Sequence, residues 1–259
     1  MDIGINGRRA ILLASSRGLG RACAESLARE GVHVVINGRD ADTVESTTAA
    51  ISSDYGVEVT GIVGDAALTE THDRLLAACP EPDILLLNGD GPPPTPFTSI
   101  DRDMWREAAD RTMVAPLDLL SRVIEGMQER RFGRVVAITS AMVKSPNPLM
   151  AMSSAPRLGL TGVLKGLSKT TAKHNVTLNT LLPERFDTDR QEYMAQVVMK
   201  TRGLSYEAAR REQVDSIRAA RLGLPNEFGD TFAFLCSAQA SYLTGQNIQL
   251  DGGSYDGVF

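Results

Sequence analysis

A chain of 259 residues can build one large α/β domain with a full core, and 42% hydrophobic against 23% charged residues is the balance of a soluble globular protein. Twenty-seven basic against 32 acidic residues leave a net charge of −5, which gives no electrostatic reason to expect nucleic acid or an anionic membrane surface. Three cysteines without a CxxC pair and three scattered histidines without HExxH-type spacing indicate neither a disulfide framework nor a metal site. The opening MDIGINGRRAILLASS has too short an apolar run for a secretory signal, and no stretch is long enough to span a bilayer. A soluble cytoplasmic protein is expected.

The first apolar run, residues 9–13 (RAILL), reads as a strand. ASSRGLGRA (14–22) follows it and opens a helical pattern at 18–30. In that setting Ser16, Arg17, Gly18, Leu19 and Gly20 form a βα turn whose backbone can approach a pyrophosphate at the helix N-terminus, the alternative being an ordinary tight turn. The second strand, 32–36, runs into NGRD. An NAD site would carry a carboxylate there for the ribose hydroxyls, whereas this chain offers Arg39, with Arg17 in the first loop. Forked guanidiniums suit a 2′-phosphate, so NADP(H) is the expected dinucleotide, and Asp40 reads as a helix cap.

Helix 40–53, strand 57–63, helix 69–78 and strand 83–87 come next, then helix 101–130, strand 134–139, helix 153–174, strand 176–182, helix 226–236 and strand 247–250. The third, fourth and fifth strands are apolar almost throughout, as strands buried on both faces are. Strand–helix alternation argues for a doubly wound parallel α/β sheet of Rossmann type, three layers deep and seven-stranded, in a single domain over residues 1–259. Only 186–222 interrupts it, charged and rich in helix formers, as a helical lid over a site would be.

The chain resembles the short-chain dehydrogenase/reductase family, of the 3-oxoacyl-acyl-carrier-protein reductase-like kind. The likeness is carried by SSRGLG, Asp65 after strand three, GDGPPP after Asn88, the helix following Trp105, GRVVAITS ending in Ser140, and the segment PNEFGDTFAFLCSAQASYLTGQNIQLDGG at 225–253. The resemblance implies a nicotinamide cofactor, a small-molecule substrate and a homotetramer or homodimer. Asp65 with Ala66 would meet the adenine, Asn88 with Gly89 the adenosine ribose, and Thr188 the carboxamide, in a turn where Pro183 matches and Glu184 replaces a glycine.

The family's usual site holds an asparagine, a serine and a Tyr-x-x-x-Lys pair. Here Thr112 stands for the asparagine, Ser140 for the serine, Ser153 for the tyrosine and Arg157 for the lysine, the mark of a divergent subgroup. Arginine stays protonated and cannot relay a proton, though it can hold ribose hydroxyls or a structural counter-ion. Ser153 reads as a helix N-cap, a contact to the substrate oxygen or a proton donor. Lys144 borders the substrate side and is a substitute acid if buried, a solvated loop residue otherwise. Asp90 reads as a turn carboxylate held by backbone N–H groups or as a group near the cofactor, and Tyr193 as a side chain entering from the lid or simply packing.

The leading functional expectation is an NADP(H)-dependent oxidoreductase on a carbonyl or alcohol. A non-redox lyase or isomerase on the same fold, and a nucleotide-binding sensor or oligomer partner without catalysis, stand beside it.

Overall fold

The alternating signals fold into one parallel sheet, which a computed structural model describes over residues 2–258. Its strands are β1 (Arg9–Leu12), β2 (His33–Gly38), β3 (Val59–Val63), β4 (Ile84–Leu87), β5 (Gly133–Ile138), β6 (Val176–Pro183) and β7 (Asn247–Leu250). They pair in parallel in the order β3-β2-β1-β4-β5-β6-β7. Successive residues of a strand face opposite sides, and here both sides are apolar. Ala10, Leu12, Leu86 and Val136 join a core with helices α1 (Gly18–Arg29) and α10 (Pro225–Cys236). Ile11, Leu85, Leu87 and Val135 join a second core with helices on the opposite face, giving helix, sheet and helix layers.

Helix α2 (Ala41–Tyr55) starts where Asp40 accepts the Thr43 N–H at 2.9 Å and stops on Gly56 in the left-handed region at φ +67°. Asp40 is the cap that the sequence suggests. Helix α3 (Thr69–Ala78) leads to β4.

Two expectations are corrected. The third strand is shorter than 57–63 and is not buried on both faces, because it forms the edge of the sheet with β2 on one side only, leaving Val63 exposed. The helix at 101–130 is broken into α4 (Arg102–Ala109), a π-helical turn (Asp110–Val114), α5 (Ala115–Ser121) and α6 (Ile124–Glu129). Pro116 has no N–H to give the Thr112 carbonyl, so the regular ladder cannot pass through it.

Helix α7 (Ala151–Thr171) follows β5, and α8 (Asp189–Arg202) and α9 (Tyr206–Asp215) occupy the segment after β6. Arg202 clasps Glu212 at 2.7 and 3.0 Å, and Tyr206 donates to Glu192 at 2.7 Å, so α8 and α9 form a tied pair. Arg190, in the first turn of α8, donates to the Pro92 carbonyl at 3.2 Å and so joins that pair to the loop after β4.

Helices α1 and α10 approach closely at Gly229, where a Cβ would lie 2.3 Å from the Ala22 carbonyl oxygen. Backbone cannot yield as a side chain does, so Gly229→Ala should cost about 1–3 kcal/mol of stability in urea denaturation; an unchanged midpoint would show that the two helices separate freely.

Candidate active site

Glycine and two asparagines build the turn after β1. A Cβ at Gly20 would lie 2.4 Å from the Ala14 carbonyl oxygen, so only glycine lets α1 start so close to β1. The buried Asn37 accepts the Ala14 N–H at 3.2 Å and donates to the carbonyls of Ile62 and Gly64 at 3.1 and 3.0 Å. Asn88 donates to the Ala14 carbonyl at 3.0 Å. The first loop is therefore clasped from the ends of β2 and β4.

Beside it lies a cavity of about 380 Å³, onto which Ser16, Arg17, Arg39, Asp65, Ala66 and Gly89 all open. Asp65 accepts the Ala67 N–H at 3.0 Å and an Arg111 N–H at 2.9 Å. Burial works against its charge, but these two donors outweigh burial and hold the carboxyl below the ordinary aspartate range. Arg39 pairs with Asp90 across the mouth, which corrects the expectation that backbone N–H groups hold Asp90. Leu19 packs on the core, so only its backbone can serve a ligand. Asn88 lines a small second cavity with Thr112 and Arg157 rather than the larger one. Thr188 precedes α8, and a Cβ on Gly18 would come within 4.0 Å of its methyl group.

At the other end, α7 begins at Ala151, before Ser153, so Ser153 is not an N-cap, and Pro156 lies in the second turn. Ser153, 3% exposed, accepts a hydrogen bond from Arg157 one turn later. Arg157 is 7% exposed, reaches the Gly89 carbonyl at 3.4 Å and joins no ion pair among the described residues, which removes the structural counter-ion reading. Burial pushes its guanidinium down to about 10, Arg190 adds to the effect and Asp90 opposes it.

Ser140 follows β5 and accepts the Met142 N–H at 3.2 Å. Lys144 is half-buried, with its Nζ 5.3 Å from the centre of the Tyr255 ring. Tyr193 stays 46% exposed beside Arg190 and does not enter the site. Sequence reasoning missed Asn37, Arg111 and Tyr255. Asn37 directly precedes Gly38 in the quoted NGRD turn and was the most visible of the three.

A family model described as "Enoyl-(Acyl carrier protein) reductase" matches residues 13–255. The chain belongs to the short-chain dehydrogenase/reductase family. "NADPH-dependent reductase BacG" of Bacillus subtilis (strain 168) is 31% identical over 257 residues, 97% of this chain and 99% of that protein. The crystal structure of YwfH, an NADPH dependent reductase involved in bacilysin biosynthesis, superposes with a TM-score of 0.91 at 30% identity, covering 98% of this chain and 100% of that one. L-Sorbose reductase from Gluconobacter frateurii, complexed with NADPH and L-sorbose, superposes with a TM-score of 0.93 at 26% identity over 100% of both chains.

This short-chain dehydrogenase/reductase keeps a hydroxyl and a cation on α7 one turn apart, but the hydroxyl is a serine and the cation is buried without an ion pair among the described residues. Uncompensated burial is a stability cost, set against only one hydroxyl and one carbonyl contact. Arg157→Met should therefore raise the stability of the ligand-free protein by about 1–2 kcal/mol in urea denaturation. A loss of similar size would show that the guanidinium's two bonds outweigh its desolvation.

Proposed function

We propose that the chain is an NADP(H)-dependent oxidoreductase that interconverts a carbonyl and an alcohol on a small organic substrate, with its proton drawn from outside helix α7. The observation that carries this reading is the cavity wall at the end of β2. Arg17 and Arg39 open onto it, and the adjoining acid, Asp40, is committed to capping α2. Guanidiniums hold a phosphate monoester through forked, charge-assisted bonds, which favours a 2′-phosphate over bare ribose hydroxyls. The NADPH-dependent relatives support the same dinucleotide.

The remaining residues fit that group. Gly20 lets α1 start hard against the first loop, so the helix N-terminus could face a pyrophosphate, and ionised Asp65 can accept from the adenine amino group. Thr188, beside Gly18, would bind a carboxamide. When bound, the dinucleotide supplies or takes the hydride. Arg157 would donate to the nicotinamide ribose hydroxyls and set a positive charge beneath them. Ser140 and Ser153 would orient the substrate oxygen, and α8 with α9 would act as a lid that excludes water.

Arg157 cannot give up its proton at physiological pH, and a serine hydroxyl is a far weaker acid than a phenol. The source thus lies elsewhere, at the Ser140–Lys144 turn or in water. The same α7 pair favours a second reading, in which the protein binds the dinucleotide without turnover as a sensor or oligomer partner.

Titration with NADPH and NADH, followed by loss of nicotinamide absorbance with ketones, aldehydes and β-ketoacyl thioesters, separates the two. NADPH should bind at least about tenfold tighter than NADH. Arg39→Ala should remove that preference, while Asp90→Asn, which deletes a carboxylate competing for Arg39, should tighten NADPH by about two- to fivefold. Equal binding of both dinucleotides would contradict the cofactor reading. Tight binding without turnover on any carbonyl would favour the second reading.

A further inference from the structure

We infer that Asp90 is a positioning residue that changes partner: when a 2′-phosphate takes Arg39, the Asp90 carboxylate turns to Arg157 and supplies its counter-ion. The inference rests on the NADP(H) reading above. Asp90 belongs to the loop that separates the two cavities, with Arg39 on the larger one, Arg157 on the smaller one and Gly89 on both.

The larger cavity carries no surplus of positive charge as it stands. Among the described residues, its charged lining is Arg17, Arg39 and Arg111 against Asp40, Asp65 and Asp90. A phosphate monoester adds further negative charge, so an acid that gives way favours its entry. Asp40 is committed to capping α2, and Asp65 to the Ala67 N–H and Arg111. The Asp90 carboxylate meets only Arg39 among the described residues, and the two side chains are 62% and 63% exposed. Water screens so open a pair and leaves it weak. Asp90 is the acid that can leave.

A second cation waits beside it. The residues on both sides of Asp90 already lie against the Arg157 guanidinium. The Gly89 carbonyl accepts from it at 3.4 Å, and a Cβ on Gly91 would lie 3.5 Å from its Nη1. Glycine before and after Asp90 frees the backbone to turn the carboxylate from one cavity to the other. Even from its place on Arg39, Asp90 opposes the fall that burial imposes on the Arg157 guanidinium. The new pair offsets part of what breaking the Arg39–Asp90 pair costs, so deleting the carboxylate still tightens NADPH. Arg157 thus gains its counter-ion only when the far end of the dinucleotide is seated, and the coupling between the two ends is reciprocal.

Adenosine 2′,5′-bisphosphate tests this without turnover, because it carries the 2′-phosphate and lacks the nicotinamide half. In the full chain, Arg157→Met should weaken its binding about three- to fivefold in calorimetric titration, although the probe lacks the ribose that Arg157 would hold. Arg157→Lys, which keeps a charge for Asp90 to meet, should restore most of the affinity. In an Asp90→Asn background, Arg157→Met should have no effect. Adenosine 5′-monophosphate, which leaves Arg39 to Asp90, should bind all of these variants alike. With NADPH, Asp90→Asn should combine tighter binding with a fall of about three- to tenfold in kcat, a split that a purely structural loss does not produce. An Arg157→Met loss that is equal with and without Asp90, or no loss, would overturn the exchange of partners and leave the cofactor reading intact. A wild type that binds the bisphosphate no tighter than the monophosphate would refute both.

Discussion

Helix α7 buries a guanidinium that no carboxylate among the described residues meets in an ion pair, and the rest of the site is arranged around that charge. Desolvation disfavours Arg157, and the Ser153 oxygen and the Gly89 carbonyl offset only part of the cost. Such an arrangement is understandable if the missing partner is a ligand, because polar ribose hydroxyls or a substrate oxygen would complete the shell. Having accepted from Arg157, Ser153 has its own hydrogen left to point at such an oxygen. The pair then orients and stabilises charge in a water-poor setting without moving a proton.

Charge and backbone meet again on the loop after β4, which links the two ends of the site. Asn88 holds the first glycine loop through Ala14, Gly89 receives Arg157, Asp90 pairs with Arg39, and Pro92 receives Arg190. Groups from the β1 loop, α7, the end of β2 and α8 thus converge on four residues of this loop. A ligand that engages Arg39 competes with Asp90, and one that engages Arg157 touches the same loop at the neighbouring residue, Gly89. The cavity beside Arg39, the α7 pair and the α8–α9 pair are in this way mechanically continuous.

Much of this was legible in the sequence. Strand–helix alternation gave the doubly wound sheet, the placement of Gly18 and Gly20 after β1 gave the tight turn into α1, and Arg39 marked the cavity wall. The failures have physical reasons. An apolar run cannot tell an edge strand from a central one, so β3 read as buried. The break at Asp110–Val114 follows from one missing N–H at Pro116, which periodicity does not weigh. Ser153 looked like a cap because the start of α7, set by Pro148–Met150 and Ala151, carries no capping side chain to announce it. The Arg39–Asp90, Arg111–Asp65 and Lys144–Tyr255 contacts join residues 51, 46 and 111 positions apart, and only the folded sheet brings them together.

The central claim is that α7 holds and orients while the proton comes from elsewhere. Steady-state kinetics of Ser153→Ala across the working pH range test it most directly. Loss of one orienting hydrogen bond predicts a fall in kcat of less than about tenfold, with the shape of the pH profile and the NADPH affinity unchanged. A fall of about 10²-fold or more together with an altered pH profile would identify Ser153 as the acid and contradict the account.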